Sequence, residues 1–269
     1  MSRSLSLAVG VATALLVVRE RRRRQAAERF AAAALETLLN AIDANDPQTG
    51  AHVRRVAVYA LVLADAAQLD EHEQLNVERV ALFHDIGKIH EALFDIIHEK
   101  AELTGAERQA IATHPIRGAQ VLAPLAPFYP EVAAGVLAHH ERWDGSGYPY
   151  GLRGPRIPLA ARIVSLADTF DAITHNRRYR HSRDPRSAAA IIAAARGTQF
   201  DPELVDLMLL PPVFDRMLKA QRAFHRRPRI AHDERRHGER ESHVPDVTFR
   251  WRREPTATRL PDRAPPTLP

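Results

Sequence analysis

With 269 residues and no cysteine, the chain can hold one large domain or two small ones, but no disulfide, thiolate zinc site or cysteine nucleophile. Its net charge of +5 sits in the flanks: residues 1–29 have seven Arg against two Glu, residues 221–269 have twelve Arg against seven acidic residues, and the stretch between has 19 basic against 24 acidic. A mildly acidic centre argues against polymeric nucleic acid as the main ligand.

Residues 5–18 form an uncharged apolar run followed by Arg19 and Arg21 to Arg24. The run is shorter than the roughly 20 residues that span a bilayer. Three readings fit it: a short anchor, the end of a longer membrane region, or a helix packed on the domain. The expectation is a cytoplasmic protein attached to the inner face of the membrane through this segment, with the arginines on the cytoplasmic side. Residues 19–44 are Ala-rich and helical, with Ala31, Leu35, Leu38 and Ile42 as a seam for another helix; a homodimer is among the expected partners. Asp46-Pro47 breaks this helix. A second helix is predicted from near residue 49 to 68, and a third over 71–86, stopped by Gly87. Pro115 suits the first turn of another. Further helices are predicted over 130–140, ending at a His pair, and over the apolar run 157–174, 185–196 and 202–210. Residues 141–158, rich in Gly and Pro, form a loop. No alternating period demands a sheet, so the fold class is all-α. The expected organisation is a short apolar segment 1–18, a basic linker helix 19–44, a catalytic domain 45–220 and a disordered Arg/Pro-rich tail 221–269.

The chain has 14 His. His225, His232, His237 and His243 fall in the tail, and His72, His90, His98, His175 and His181 fall in polar or irregular contexts suited to surface or capping roles. His52, His84, His114, His139 and His140 instead sit in or at the ends of apolar helical segments, together with Asp85 and Asp168. So many polar groups are costly to bury unless something neutralises them, and a pair of metal ions would do so. The donors are imidazole, carboxylate and water, suited to Fe, Mn or Zn. A metal centre beside the glycine-rich loop "HHERWDGSGYP" points to metal-assisted hydrolysis of a phosphate ester.

These strings, with "TGAHVRRV", "HDIGKI", "THPIRG", "IPLAARIVSLADTFDAIT", "RRYR" and "GTQFDPELV", resemble the HD-GYP family over roughly residues 40–210. This is a bacterial branch of the HD-domain phosphohydrolases. The resemblance implies an HD-type helical bundle that hydrolyses cyclic di-GMP or a related cyclic dinucleotide on two divalent metal ions, Fe or Mn. It implies that His52, His84, Asp85 and Asp168 bind one ion and that His114, His139 and His140 bind the other, with Asp85 bridging. Two such ions about 3.5–4 Å apart can activate a bridging water to hydroxide for attack on phosphorus. Lys88, one turn beyond His84, can face the same site; the resemblance makes it a phosphate contact, and it could also protonate the leaving oxygen. Gly145 and Gly147 suit close backbone approach to a ligand, and Tyr148 suits stacking on it. Arg177 and Arg180 match the family's phosphate-binding pair.

The sequence departs from the family pattern at several positions. Arg178 stands where the family has Pro. Gln48 stands where some members carry a Glu for a third ion, so two ions are expected. "HEALFDIIHEKAEL" replaces a short Pro-containing turn, and Glu91 and Ala92 there would reshape the rim. The rivals are an HD phosphohydrolase for another nucleotide and a signalling module that binds the messenger without cleaving it.

Overall fold

A computed structural model describes residues 2–89, 104–175 and 182–225, the first 13 of these through their backbone alone. The chain divides into two compact units, residues 1–229 and 230–269; the second lies outside the described residues. The expected disordered tail lies outside them from residue 226 onward. Among the described residues there is no strand, as expected for an all-α chain.

Helix α1 (Ser2–Asn45) is continuous, joining the apolar segment and the basic linker. Its inner face is Ala31, Leu35, Leu39 and Ile42, each at most 2 % exposed. The seam therefore runs through Leu39 rather than Leu38, with spacings of 4, 4 and 3. No helix among the described residues is long and apolar enough to cross a membrane, and the anchor reading gains no support from the fold.

Asp46 caps helix α2 (Pro47–Ala66) by accepting from the Gln48 N–H, with Pro47 at the first helical position. The helix starts two residues earlier than predicted. Helix α3 (Glu71–Phe83) opens on a reciprocal capping box between Asp70 and Glu73 and ends at His84, before the predicted stop. A short 3₁₀ turn, Ile86–Ile89, follows. Then come α4 (Gly105–Ile111), α5 (His114–Leu122), α6 (Pro130–Ala138), α7 (Leu159–Thr174), α8 (Pro185–Ala194), α9 (Pro202–Leu209) and α10 (Pro211–His225). The last of these, like α4, was not predicted. It carries helical structure into residues 221–225, which composition had assigned to the tail, and buries Val213 and Met217.

The core centres on α2 and α7, which pack on each other and both on α3. Tyr59 of α2 meets Phe170 of α7 edge-on, with ring centroids 5.1 Å apart. Ala160, Ala161, Ile163, Val164, Leu166 and Ala167 bury most of α7. The pairing of α2 with α7 sets His52 opposite Asp168.

Candidate metal centre

Five separate elements deliver the candidate ligands, the first four being α2 (His52), the turn after α3 (His84, Asp85), the start of α5 (His114) and the end of α6 (His139, His140). Asp168 comes from the middle of α7. Gly87 allows the turn after α3 and the start of α5 to meet. A Cβ at this position would lie 2.1 Å from the His114 carbonyl oxygen and 2.7 Å from the Gly118 nitrogen, so only glycine lets the turn press onto the first turn of α5.

Two groups of ligand atoms form, His52 with His84 and Asp168, and His114 with His139 and His140, each within 4.8 Å of one another. Asp85, 6 % exposed, lies between them. One carboxylate oxygen is 3.5 Å from His84 Nε2 and 3.9 Å from His52 Nε2, and the other is 3.4 Å from His114 Nε2. The structure thus gathers all seven sequence-predicted ligands at one place.

Three of the imidazoles are aimed by the same device. Nδ1 of His84, His114 and His139 each donates to the carbonyl three residues earlier, Ala81, Ile111 and Val136, at 2.7, 2.7 and 2.6 Å. Those carbonyls lie in the last turns of α3, α4 and α6, where a helix leaves its own C=O groups without an N–H partner. Committing the Nδ1 proton fixes the tautomer and leaves the Nε2 lone pair facing the centre. His84 Nε2 is buried with no hydrogen-bond partner. His114 Nε2 and His139 Nε2 stand 3.1 Å apart, so as neutral imidazoles they would point lone pairs at one another. Converging N and O donors, with the buried His84 Nε2 left over, fit a divalent cation of the Fe, Mn or Zn kind.

The electrostatics agree with that donor set. Burial, together with neighbouring imidazoles, holds His139 well below its ordinary range. Burial, His114 and Lys88 lower His140 to about 3, and burial likewise lowers His84. In all three the shift favours the neutral imidazole, the form that ligates metal. Burial also opposes charge on His52, but Asp168 and Asp171 outweigh it and push the group up to about 9. A bound divalent ion would displace that proton, since ligation needs the Nε2 lone pair. Burial works against ionised Asp85, yet Lys88, His84 and His114 hold it well below the carboxylate range.

Lys88 stands in the 3₁₀ turn rather than on a continuing helix, and its ammonium lies 2.7 Å from the Asp85 carboxylate. Its side chain is 28 % exposed, at the rim. Tyr148 stacks on His140 with centroids 4.9 Å apart, and burial raises its hydroxyl to about 12. Gly147 makes its close approach to the chain's own backbone: a Cβ would be 2.3 Å from Arg142 N and 2.6 Å from the His140 carbonyl oxygen. The glycine folds the loop tightly under the His pair. Arg177 and Arg180 lie outside the described residues, as do His90, Glu91, Ala92, His98 and His181.

Sequence reasoning passed over several supporting residues. Asp171, 1 % exposed, accepts from His52 Nδ1 at 2.7 Å and from Arg55 Nε at 2.7 Å. His175 Nδ1 lies 3.0 Å from it, so this histidine sits at a helix cap, as expected, with its ring turned inward. Glu141, 3 % exposed, accepts from the Tyr150 and Leu152 N–H groups at 2.7 and 3.0 Å and holds the loop closed. The signal for Asp171 was an Asp one turn beyond Asp168 in an apolar helix.

Residues 36–204 match a family described as the HD domain. Over 209 residues the chain is 37 % identical to the cyclic di-GMP phosphodiesterase response regulator RpfG of Xanthomonas campestris, covering 77 % of this chain and 52 % of that one. Over 174 residues it is 37 % identical to 3'3'-cGAMP-specific phosphodiesterase 2 of Vibrio cholerae, covering 64 % of this chain and 33 % of that one. The chain thus spans between a third and about half of the length of these relatives. Its fold is similar to a crystal structure of a cyclic GMP-AMP specific phosphodiesterase from V. cholerae, with a TM-score of 0.51 and 24 % identity over 73 % of this chain and 54 % of that one. The HD-GYP resemblance drawn from the motifs stands alongside these matches.

Proposed function

The chain belongs to the HD domain family, and on that footing we propose that it is a metal-dependent phosphodiesterase hydrolysing cyclic di-GMP in bacterial second-messenger signalling. The observation that carries the reading is the convergence of two ligand groups on either side of the buried Asp85 carboxylate. In this reading His52, His84 and Asp168 hold one ion, His114, His139 and His140 hold the other, and Asp85 spans both. Two such ions, Fe or Mn, would supply a bridging hydroxide as nucleophile and a clamp on the phosphodiester oxygens. The remaining work falls to the chain's own groups. Lys88, at the rim and paired with Asp85, is positioned to meet a phosphate oxygen and to stabilise or protonate the leaving ribose oxygen. Tyr148, stacked on His140, offers its outer face and hydroxyl to the substrate, and Gly147 keeps the loop low enough for it to do so. Arg177 and Arg180 are proposed as bidentate phosphate contacts on the strength of the resemblance.

A second reading is that the preferred substrate is 3'3'-cGAMP, because a relative of equal identity carries that name. The test is the ratio of kcat/KM on the two cyclic dinucleotides, measured on protein prepared without oxygen, with and without a chelator. Faster, chelator-sensitive opening of cyclic di-GMP is expected. A ratio favouring 3'3'-cGAMP would select the second reading, and tight binding with no turnover in the metal-replete protein would make the chain a non-catalytic binder.

A further inference from the structure

His84, His114 and His139 are each aimed by a carbonyl left over at a helix end. His52 cannot use this device. It lies inside α2, in its second turn, where the preceding carbonyls are taken up by the helix's own hydrogen bonds. Its Nδ1 instead reaches across to α7, where Asp171 Oδ2 lies 2.7 Å away. Asp171 is itself held on two further sides. Arg55, one turn beyond His52, donates Nε to Oδ1 at 2.7 Å and Nη2 to Oδ2 at 3.0 Å, and His175 Nδ1 closes on Oδ1 at 3.0 Å. Asp168 and Asp171 are three apart on α7 and face the same way. One helix therefore supplies both a candidate ligand, 3.2 Å from His52 Nε2, and the acceptor for that imidazole's other nitrogen.

We propose that Asp171 is the positioning residue of the His52 half of the metal centre, fixing the imidazole so that Nε2 keeps its lone pair on the ion, with Arg55 and His175 fixing Asp171 in turn. A carboxylate can only accept, so it forces the proton onto His52 Nδ1. An amide in its place can accept or donate, and once it donates, Nδ1 carries the lone pair and Nε2 the proton, a form that cannot ligate. Outer partners of this kind typically change metal affinity by about 10–100-fold.

The inference rests on the two-ion reading, and its test separates the two. Stepwise Mn(II) titration of the metal-free wild type under anaerobic conditions should resolve two ions per chain; fewer than two sinks the reading itself. Asp171→Asn should then weaken one step about 10–100-fold and leave the other, held by His114, His139 and His140, within about twofold. Where Asp171→Asn does not fold by circular dichroism, Arg55→Gln serves instead. It keeps the carboxylate on His52 but frees it to swing, and should weaken the same single step by a smaller factor. Two wild-type steps in a folded variant, or equal weakening of both steps together with a lowered Tm, would overturn the assignment, because a merely structural residue would not act on one ion alone.

Discussion

Replacing Gly87 by Ala probes the packing on which the two ligand groups depend. The added methyl would sit 2.1 Å from the His114 carbonyl oxygen and 2.7 Å from the Gly118 nitrogen, both backbone atoms that cannot rotate away. Carbon–oxygen contacts settle at about 3.3–3.6 Å, so the turn and the start of α5 must separate by about 1.2 Å or more. Overpacking of this kind costs about 1–3 kcal/mol. At about 2–4 °C per kcal/mol for a domain of this size, Tm should fall by about 4–8 °C for a cost near 2 kcal/mol. The displacement also pulls His114 away from Asp85, now 3.4 Å distant, and from His139, now 3.1 Å distant. Misplacing a reacting centre by about 1 Å can cost about 100-fold in rate. Calorimetric Tm and turnover of cyclic di-GMP at saturating Mn(II) read the two effects. A folded Gly87→Ala protein with unchanged Tm and turnover within twofold of wild type would refute the reasoning.

Asp85→Ala should abolish turnover and lower metal content at both groups, which metal analysis of the purified variant checks; near-normal turnover would remove the bridging role. Lys88→Ala should keep its full metal content and lose about 2–4 kcal/mol of transition-state stabilisation, by analogy with lost oxyanion donors; a metal-free or unfolded variant would contradict the role. Glu141→Gln turns one acceptor of the loop into a donor facing a backbone N–H, at a cost of about 1–3 kcal/mol, and should raise KM more than it lowers kcat as Tyr148 slips from His140; unchanged kinetics would show that the loop holds without this carboxylate. Ending the chain after His225 should leave activity within a few-fold, whereas ending it after Leu210 removes the buried Val213 and Met217 and should lower Tm sharply; equal behaviour of the two truncations would contradict the boundary.

The candidate ligands were legible in the sequence because a buried centre needs a rare combination, several His and Asp in apolar helices beside a glycine-rich loop. Helix starts at Pro47, Pro130, Pro185 and Pro202 were legible within a few residues, since proline suits the first turn and, at Pro47, Pro185 and Pro202, a preceding Asp caps it. What escaped depended on tertiary contacts. The choice of Leu39 over Leu38 is made by the surface against which α1 packs. Helix α10 lies beyond the last predicted helix, 202–210, although Pro211-Pro212 is well placed in a first turn. Asp171 is only another polar residue of a buried helix until the pairing of α2 with α7 sets it beside His52. Gly147 was assigned to a ligand's backbone contact, and its close neighbours proved to be residues 140–142 of its own loop.

Anomalous scattering from crystals grown anaerobically with Mn(II) tests the two-ion centre most directly. Two peaks are expected, one among His52, His84 and Asp168 and one among His114, His139 and His140, with the Asp85 carboxylate touching both. A single peak, or an Asp85 carboxylate bound to neither ion, would contradict it.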